Sequence, residues 1–126
     1  MEPVDSQGLP TDVLIVEDDA IIALDFEDSL LGFGVTTVRS CGSVVRALKL
    51  IEERAPDFAL LDVGLASGNS FAVAEKLQAM QIPFVFITGY GSRVGLPPAL
   101  NGTPTLPKPC TSDMLEAALC VRRGQG

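Results

Sequence analysis

The seven residues 58–64 (FALLDVG) are a run of apolar side chains that ends in one carboxylate, Asp62, with a glycine two positions later. The run is too short for a core helix and fits a strand that is buried on both faces. An acid at the carboxyl end of such a strand lies on the sheet edge where α/β proteins bind ligands. Taken alone, Asp62 is better explained as a loop residue or a helix cap, so the other strand ends must decide its role.

Strand-like and helix-like segments alternate along the whole chain. Short runs rich in apolar and β-branched residues predict strands at residues 12–16, 35–38, 58–62, 83–87 and 103–107. Helical patterns follow at residues 20–31, 43–54, 70–80 and 112–121. This alternation predicts an α/β fold with a parallel sheet covered on both faces. In residues 89–102, three glycines before two prolines oppose a regular helix, so the fourth helix of the (βα)5 pattern is expected to be short, distorted or mobile.

Local signals predict how the helices begin, end and face the core. Ser43, Thr111 and either Asn69 or Ser70 are candidate N-caps, and the glycines around Phe33 are expected to stop the first helix. Residues 64–69 are expected to form a loop. The first helix has only a loose apolar stripe, which is marked by Ile21, Leu24, Ser29 and Leu31.

The composition describes one acidic domain. The chain has 126 residues, of which 47% are hydrophobic, so we expect a single core at residues 12–121, with a flexible lead-in at 1–11 and a tail at 122–126. A net charge of −7 argues against nucleic-acid binding, which relies on a basic face. No apolar run approaches the ~20 residues of a membrane span, and the N-terminus lacks the apolar segment of a signal peptide, so we expect a cytoplasmic protein.

The reactive side chains exclude several kinds of chemistry. The chain has no histidine, which removes a Ser-His or Cys-His nucleophile and a phosphohistidine role. Its cysteines, at positions 41, 110 and 120, are odd in number and widely spaced, so we expect reduced, mostly buried thiols. Without histidine or a CxxC pair, a zinc site is improbable.

Polar and charged residues follow four of the five predicted strands. They are Glu17 and Asp18 after the first strand, Asp62 at the third, Thr88 at the fourth and Lys108 at the fifth. Because the carboxyl ends of parallel strands share one edge, these side chains are expected to meet in one cleft. Clustered carboxylates repel one another unless a cation is present, and hard oxygen ligands suit Mg²⁺. A hydroxyl and an ammonium group beside that ion would form a pocket for a phosphoryl group.

Each of these residues also has a purely structural interpretation. The acids at 17–19 could cap and charge the start of a helix, and for Asp19 we prefer that interpretation. Thr88 alone could be a turn residue, and Lys108 alone a solvated charge. Glu17, Asp18, Asp62 and Lys108 occur together at successive strand ends. For these four residues we therefore prefer the interpretation as parts of one binding site.

This arrangement resembles the receiver domain of two-component response regulators. The resemblance runs from about residue 11 to residue 121 and is carried by VLIVED at 13–18, LLD at 60–62, ITG at 87–89 and LPKP at 106–109. It implies the flavodoxin-like doubly wound sheet with strand order 2-1-3-4-5, the fold that the chemotaxis receiver also adopts.

The resemblance also implies a mechanism. Asp62 would take a phosphoryl group from the phosphohistidine of a histidine kinase or a histidine phosphotransfer protein. Glu17, Asp18, Asp62 and the backbone carbonyl of Gly64 would hold Mg²⁺, which screens charge during the transfer. Thr88 would donate its hydroxyl to a phosphoryl oxygen, Lys108 would pair with another, and the Lys108–Pro109 peptide would be cis.

Two departures from the usual receiver pattern concern switching. Many receivers have an aromatic residue three positions before the lysine, whereas this chain has Thr105. The stretch at 83–90 looks like the Phe-Ala-Thr-Gly-Tyr subgroup of bacterial single-domain receivers, with Ile87 in place of the alanine. We therefore expect phosphoryl capture by Thr88 to draw in residues 89–91 and to order the region up to residue 100. The small Gly64 leaves the site more open, so autodephosphorylation could change in either direction.

The leading hypothesis is a stand-alone, single-domain phosphoacceptor that signals by protein contact or onward phosphotransfer and is not a turnover enzyme. Its downstream partner is unknown, and a monomer or a weak homodimer is expected. The first helix and the loop after the fifth strand would dock the kinase. An alternative is a pseudo-receiver that binds partners without phosphorylation. A second alternative is a Mg²⁺-dependent phosphohydrolase, but Gly64 stands where such enzymes have a general acid.

Overall fold

The computed structural model describes residues 10–65, 68–88, 98–100, 102–107 and 110–125. Five strands form the main sheet, and we number them in chain order: β1 (Asp12–Val16), β2 (Thr37–Cys41), β3 (Phe58–Asp62), β4 (Phe84–Thr88) and β5 (Thr105–Pro107). Four α-helices accompany them: α1 (Ala20–Phe33), α2 (Val44–Glu53), α3 (Phe71–Ala79) and α4 (Ser112–Gln125).

All neighbouring strands of the sheet are parallel, in the order β2-β1-β3-β4-β5. The predicted order is therefore confirmed. Val16 lies opposite both Cys41 of β2 and Leu61 of β3, so the ends of these three strands are level. Asp62 lies opposite Ile87 of β4, and Thr88 lies opposite Pro107 of β5. This register brings the carboxyl ends of the strands to one edge.

The sheet separates two apolar cores. One core contains alternate strand residues such as Leu14 and Leu61, packed against α2 and α3. The other contains the intervening residues, such as Ile15 and Leu60, packed against α1 and α4. Because successive side chains of a strand point to opposite faces, strands buried on both faces must be largely apolar, and in β1 and β3 the one acidic residue of each, Asp12 and Asp62, lies at a strand end.

The predicted position of the second strand was wrong. Residues 35–38 were expected to form it, but β2 begins at Thr37 and ends at Cys41. Gly34 caps α1 in the left-handed conformation (φ 114°), and the N–H of Val35 donates to Leu30 O at 3.1 Å. These contacts end the helix and engage the backbone N–H of Val35 in a bond to the helix. The pairing of β2 with β1 therefore starts only at Thr37.

The predicted apolar stripe of α1 was also wrong. The buried side chains are Ala23, Phe26 and Leu30, which follow a helical spacing of three and four. Ile21 and Leu24, which were assigned to the stripe, are 81% and 56% exposed. Apolar residues occur on more than one face of this helix, so only the packing against the sheet decides which face is buried.

Several connections differ in detail from the expectation. The predicted loop at 64–69 contains a short antiparallel hairpin that pairs Gly64–Leu65 with Gly68–Asn69. Ser70 precedes α3 without a side-chain cap, whereas Asn69 Oδ1 accepts from the N–H of Phe71 at 3.0 Å. The helix α4 continues beyond the predicted end at residue 121. Its Thr111 cap is confirmed, since Thr111 Oγ1 accepts from the N–H of Met114 at 3.1 Å.

The segment between β4 and β5 was expected to hold a short or distorted helix. Residues 98–100 form a 3₁₀ turn, residues 102–104 lead into β5, and residues 89–97, the greater part of the region in the switching hypothesis, lie outside the described residues. Residues 1–9 of the predicted lead-in also lie outside them, but Thr11 already accepts a hydrogen bond from the N–H of Thr37 at 2.7 Å. Within the described ranges, none of the helices has the length and apolar content that a membrane span requires.

Candidate functional site

Asp62 is the last residue of β3 and is only 4% exposed. Its Oδ1 atom accepts a hydrogen bond from the N–H of Gly64 at 3.3 Å, which folds the chain back over the strand end. The next residue, Val63, donates its N–H to Ile87 O of β4 at 3.0 Å. The end of β3 is therefore bonded to β4, and the carboxylate accepts a hydrogen bond from the backbone that follows it.

Glu17 and Asp18 follow β1 directly at the same edge. Glu17 is 4% exposed, and its N–H donates to Cys41 O at 2.9 Å. Its Oε2 atom accepts from the N–H of Asp19 at 3.1 Å. Asp19 has the capping role that we preferred, because its Oδ1 accepts from the N–H groups of Ile21 and Ile22 at 3.0 and 3.2 Å. Asp18 is exposed, so its side chain is open to solvent and to a ligand.

These acids form one cluster. One carboxylate oxygen from each of Glu17, Asp18 and Asp62 lies within 4.8 Å of the others. At Mg–O distances of about 2.1 Å, the ligands of one octahedral ion lie roughly 3.0–4.2 Å apart, so a small contraction of the cluster would suit Mg²⁺. The all-oxygen donor set and the open position of Asp18 fit an ion that keeps several water ligands. The convergence of the three predicted acids is confirmed.

Thr88 is the last residue of β4 and is half-buried. It is the residue after Ile87, which lies opposite Asp62. Thr88 therefore lies at the carboxyl edge of the sheet, where the sequence predicts it. Its partner across the sheet is Pro107, the residue before Lys108. Lys108 itself and the Lys108–Pro109 peptide lie outside the described residues, and the roles of Thr88 and Lys108 stay predictions.

Gly64 lies next to the cluster, as the sequence indicates. It begins the short hairpin, where it pairs with Asn69, and its N–H contacts Asp62. A Cβ atom at this position would meet nothing within 4 Å. The space around Gly64 is thus open, as expected, while metal binding by its carbonyl oxygen stays a prediction.

The sequence interpretation missed the contribution of the β2 end. Cys41 O accepts the Glu17 N–H, and Gly42 packs against Asp18. A glycine directly after a strand indicates a close approach of two backbones. Gly42 could not be recognised as such a glycine because the second strand was predicted at 35–38, four residues before it. With the correct register, Cys41 and Gly42 belong to the site.

Among the described side chains, the thiols of Cys41 and Cys110 are free and half-buried, which is less burial than predicted, and the side chain of Cys120 lies outside the description. Burial raises the pKa of the Cys41 thiol, although Arg46 and Arg39 oppose that shift. Burial also raises the pKa of Cys110. Both thiols therefore stay protonated near neutral pH and are poor nucleophiles and poor metal ligands there.

The fold and the site define a class: doubly wound α/β proteins with an acidic site at the carboxyl edge of a parallel sheet. Residues 13–119 match the family model of the response regulator receiver domain, and the chain belongs to this family. Receiver domains are modules of two-component systems, and Mg²⁺ binding is typical of them.

Named relatives support this assignment. The solution structure of SdrG from Sphingomonas melonis Fr1 is similar with a TM-score of 0.77 and 40% identity, over 94% of this chain and 96% of that chain. The phyllosphere-induced regulator PhyR of Methylorubrum extorquens is 34% identical over 88 residues, which are 68% of this chain and 33% of PhyR. The transcriptional regulatory protein PdtaR of Mycobacterium tuberculosis is 30% identical over 68% of this chain and 42% of PdtaR. The chain thus matches less than half the length of these two regulators.

Proposed function

We propose that this protein is a phosphoacceptor that takes a phosphoryl group onto Asp62 in a Mg²⁺-dependent reaction. The observation that carries the proposal is the meeting of Glu17, Asp18 and Asp62 within 4.8 Å at the edge of the sheet. Membership of the receiver family supports it, because the match over residues 13–119 includes all three acids. The same site supports a signalling role and not turnover, since Gly64 offers no general acid beside Asp62.

The chain's own residues would act as follows. An Asp62 oxygen attacks the phosphorus of a phosphohistidine, the new O–P bond forms as the N–P bond breaks, and the electron pair returns to the imidazole. Glu17 and Asp18, with Asp62 and the Gly64 carbonyl, would hold Mg²⁺, and the ion would supply positive charge to screen the phosphoryl group. Thr88 donates its hydroxyl to one phosphoryl oxygen, and Lys108 pairs with another.

We further propose that α1 contributes to docking of the phosphodonor, a histidine kinase or a histidine phosphotransfer protein. Asp62 is almost covered, so a donor protein must rest on the rim of the site to reach it. Ile21 stands in the first turn of α1, close along the chain to Asp18 and Asp19, and is 81% exposed. An exposed apolar side chain beside the site is suited to a protein partner.

A phosphate-affinity gel after incubation with acetyl phosphate tests the proposal. Wild-type protein is expected to show a retarded band with Mg²⁺, and the band should vanish in EDTA and in Asp62→Asn. Asp25→Asn is the matched control, because Asp25 is an exposed acid on α1 and its variant should be phosphorylated like wild type. A retarded band that persists in Asp62→Asn would place the modification elsewhere.

Phosphotransfer profiling against the histidine kinases of the host then identifies the donor, again with Asp62→Asn as the control. Absence of transfer from every donor, together with no reaction with acetyl phosphate, would favour the phosphorylation-independent pseudo-receiver. The acid cluster argues against that alternative, because an interaction module has no need for three carboxylates within 4.8 Å.

A further inference from the structure

The loop that joins β2 to α2 packs against an acid pair, Glu17 and Asp18, through Gly42, which has no side chain. A Cβ atom added to Gly42 would lie 3.3 Å from Asp18 Cα, 3.6 Å from Asp18 Cβ and 3.7 Å from Glu17 O. Carbon atoms pack best at about 3.5–4.0 Å, so the first of these contacts is too close. The atom that it meets belongs to the backbone, which cannot turn aside as the tip of a flexible side chain can.

A second contact ties the same loop to the same acids. The residue before Gly42, Cys41, accepts the Glu17 N–H at 2.9 Å and lies opposite Val16 in the sheet. The end of β2 therefore bonds to Glu17 while the start of the loop packs against Asp18. The backbone of the acid pair is held from one side by two consecutive residues.

We propose that Gly42 is a positioning residue of the Mg²⁺ site, whose missing Cβ lets the loop settle against Asp18 and so sets the place of its carboxylate relative to Asp62. The inference rests on the proposed function. A Cβ at position 42 requires Asp18 or the loop to move by a few tenths of an ångström. Mg²⁺ demands near-ideal octahedral geometry, and a metal site tolerates distance errors of only about 0.2 Å.

Gly42→Ala is expected to weaken Mg²⁺ binding about tenfold, the lower end of the effect of removing a group that orients metal ligands. Gly32→Ala is the matched control, because it adds the same methyl group where nothing lies within 4 Å, on α1 and away from the acids. Isothermal titration with Mg²⁺ measures the Kd of each full-length variant. Melting in EDTA, followed by circular dichroism, identifies a temperature at which all variants are folded, so that the titration measures the site and not stability.

Asp18→Asn completes the experiment. Weaker binding by Asp18→Asn and Gly42→Ala, with wild-type affinity in Gly32→Ala, is the expected result. If Asp18→Asn binds weakly while Gly42→Ala binds as wild type does, the positioning role is overturned and the site stands. If wild-type protein binds no Mg²⁺, or Asp18→Asn binds it unchanged, the proposed function and the positioning role are both overturned.

Discussion

The two ends of β1 place acids in opposite surroundings. At the amino end, Asp12 is nearly buried and accepts hydrogen bonds from Arg39 Nη2 at 3.2 Å and Arg54 Nε at 3.0 Å. Arg39 also donates to the carbonyl oxygens of Leu50 and Arg54, which closes the C-terminal end of α2. At the carboxyl end, Glu17 and Asp18 face a third acid, Asp62.

The acids at the amino end therefore form a structural network, whereas those at the carboxyl end form the proposed Mg²⁺ site. Asp57 extends the amino-end network, since its carboxylate accepts the N–H groups of Thr11 and Asp12 at 3.0 and 2.9 Å. There the protein satisfies its acids with its own guanidinium and amide groups. At the other end it brings like charges together, an arrangement that a bound divalent cation would stabilise.

Breaking the amino-end network should have the largest effect on stability. Asp12→Ala is expected to lower the free energy of unfolding by about 2–3 kcal/mol, because it leaves a mostly buried guanidinium without its carboxylate. The guanidinium in question belongs to Arg39, whose side chain is only 19% exposed. Urea denaturation measures the change, and phosphorylation by acetyl phosphate should be retained by the folded variant.

Arg54→Ala is the control for that variant. Its side chain is 62% exposed, so its ion pair with Asp12 is well screened and should contribute less than about 1 kcal/mol. Equal losses in the two variants would mean that the exposed pair, and not the buried one, supports this end of the sheet.

Removing one acid at the carboxyl end should act through Mg²⁺. Asp18→Asn is expected to abolish most of the stabilisation that Mg²⁺ gives to wild-type protein, because it removes one of the three carboxylates that would hold the ion. Thermal melting with EDTA and with Mg²⁺ measures the effect.

Asp25→Asn again serves as the comparison, since this exposed acid lies on α1 outside the cluster. Its melting should follow wild type in both buffers. An equal Mg²⁺-dependent rise for wild type and Asp18→Asn would show that the ion binds elsewhere.

A third comparison concerns two serines that precede helices at the carboxyl edge of the sheet, of which only Ser43 has a hydrogen-bonded hydroxyl among the described residues. Ser70 Oγ, in the connection between β3 and α3, is fully buried and has no hydrogen-bond partner among the residues that the structure describes. Ser70→Ala is therefore expected to raise the free energy of unfolding by about 1 kcal/mol. Ser43→Ala should lower it by about 1 kcal/mol, because Ser43 Oγ caps α2 by accepting from the N–H of Arg46. Urea denaturation measures the free energy of unfolding of both variants. A loss of stability in Ser70→Ala would contradict the expectation.

The smallest expected effect concerns Cys41 at the carboxyl end of β2. Because burial raises the pKa of this thiol, the folded state keeps a proton that the unfolded state releases at a lower pH. The stability from the neutral thiol is complete below the unfolded pKa, about 8.5, and is lost as the pH rises through the folded value. Urea denaturation under reducing conditions should show a smaller decline between about pH 8 and pH 10 in Cys41→Ala than in wild type. Identical slopes would exclude a contribution from Cys41.

Much of the site could be predicted from the sequence because the rule that places it is simple. Parallel strands end at one edge, so acids that terminate β1 and β3 meet once these two strands are neighbours in the sheet. The alternation of strands and helices and the capping role of Asp19 followed from similarly local signals, whereas the order of the sheet followed from the resemblance to receiver domains.

Only the tertiary structure decided the features for which the local pattern was ambiguous. The apolar residues of α1 lie on several faces, and contact with the sheet selects Phe26 and Leu30 over Ile21 and Leu24. The start of β2 depends on how Gly34 and Val35 end the preceding helix. The resulting register of β2 against β1 brings Gly42 against Asp18. A sequence pattern specifies which residues end each strand, whereas the fit of one backbone against another depends on contacts between distant segments.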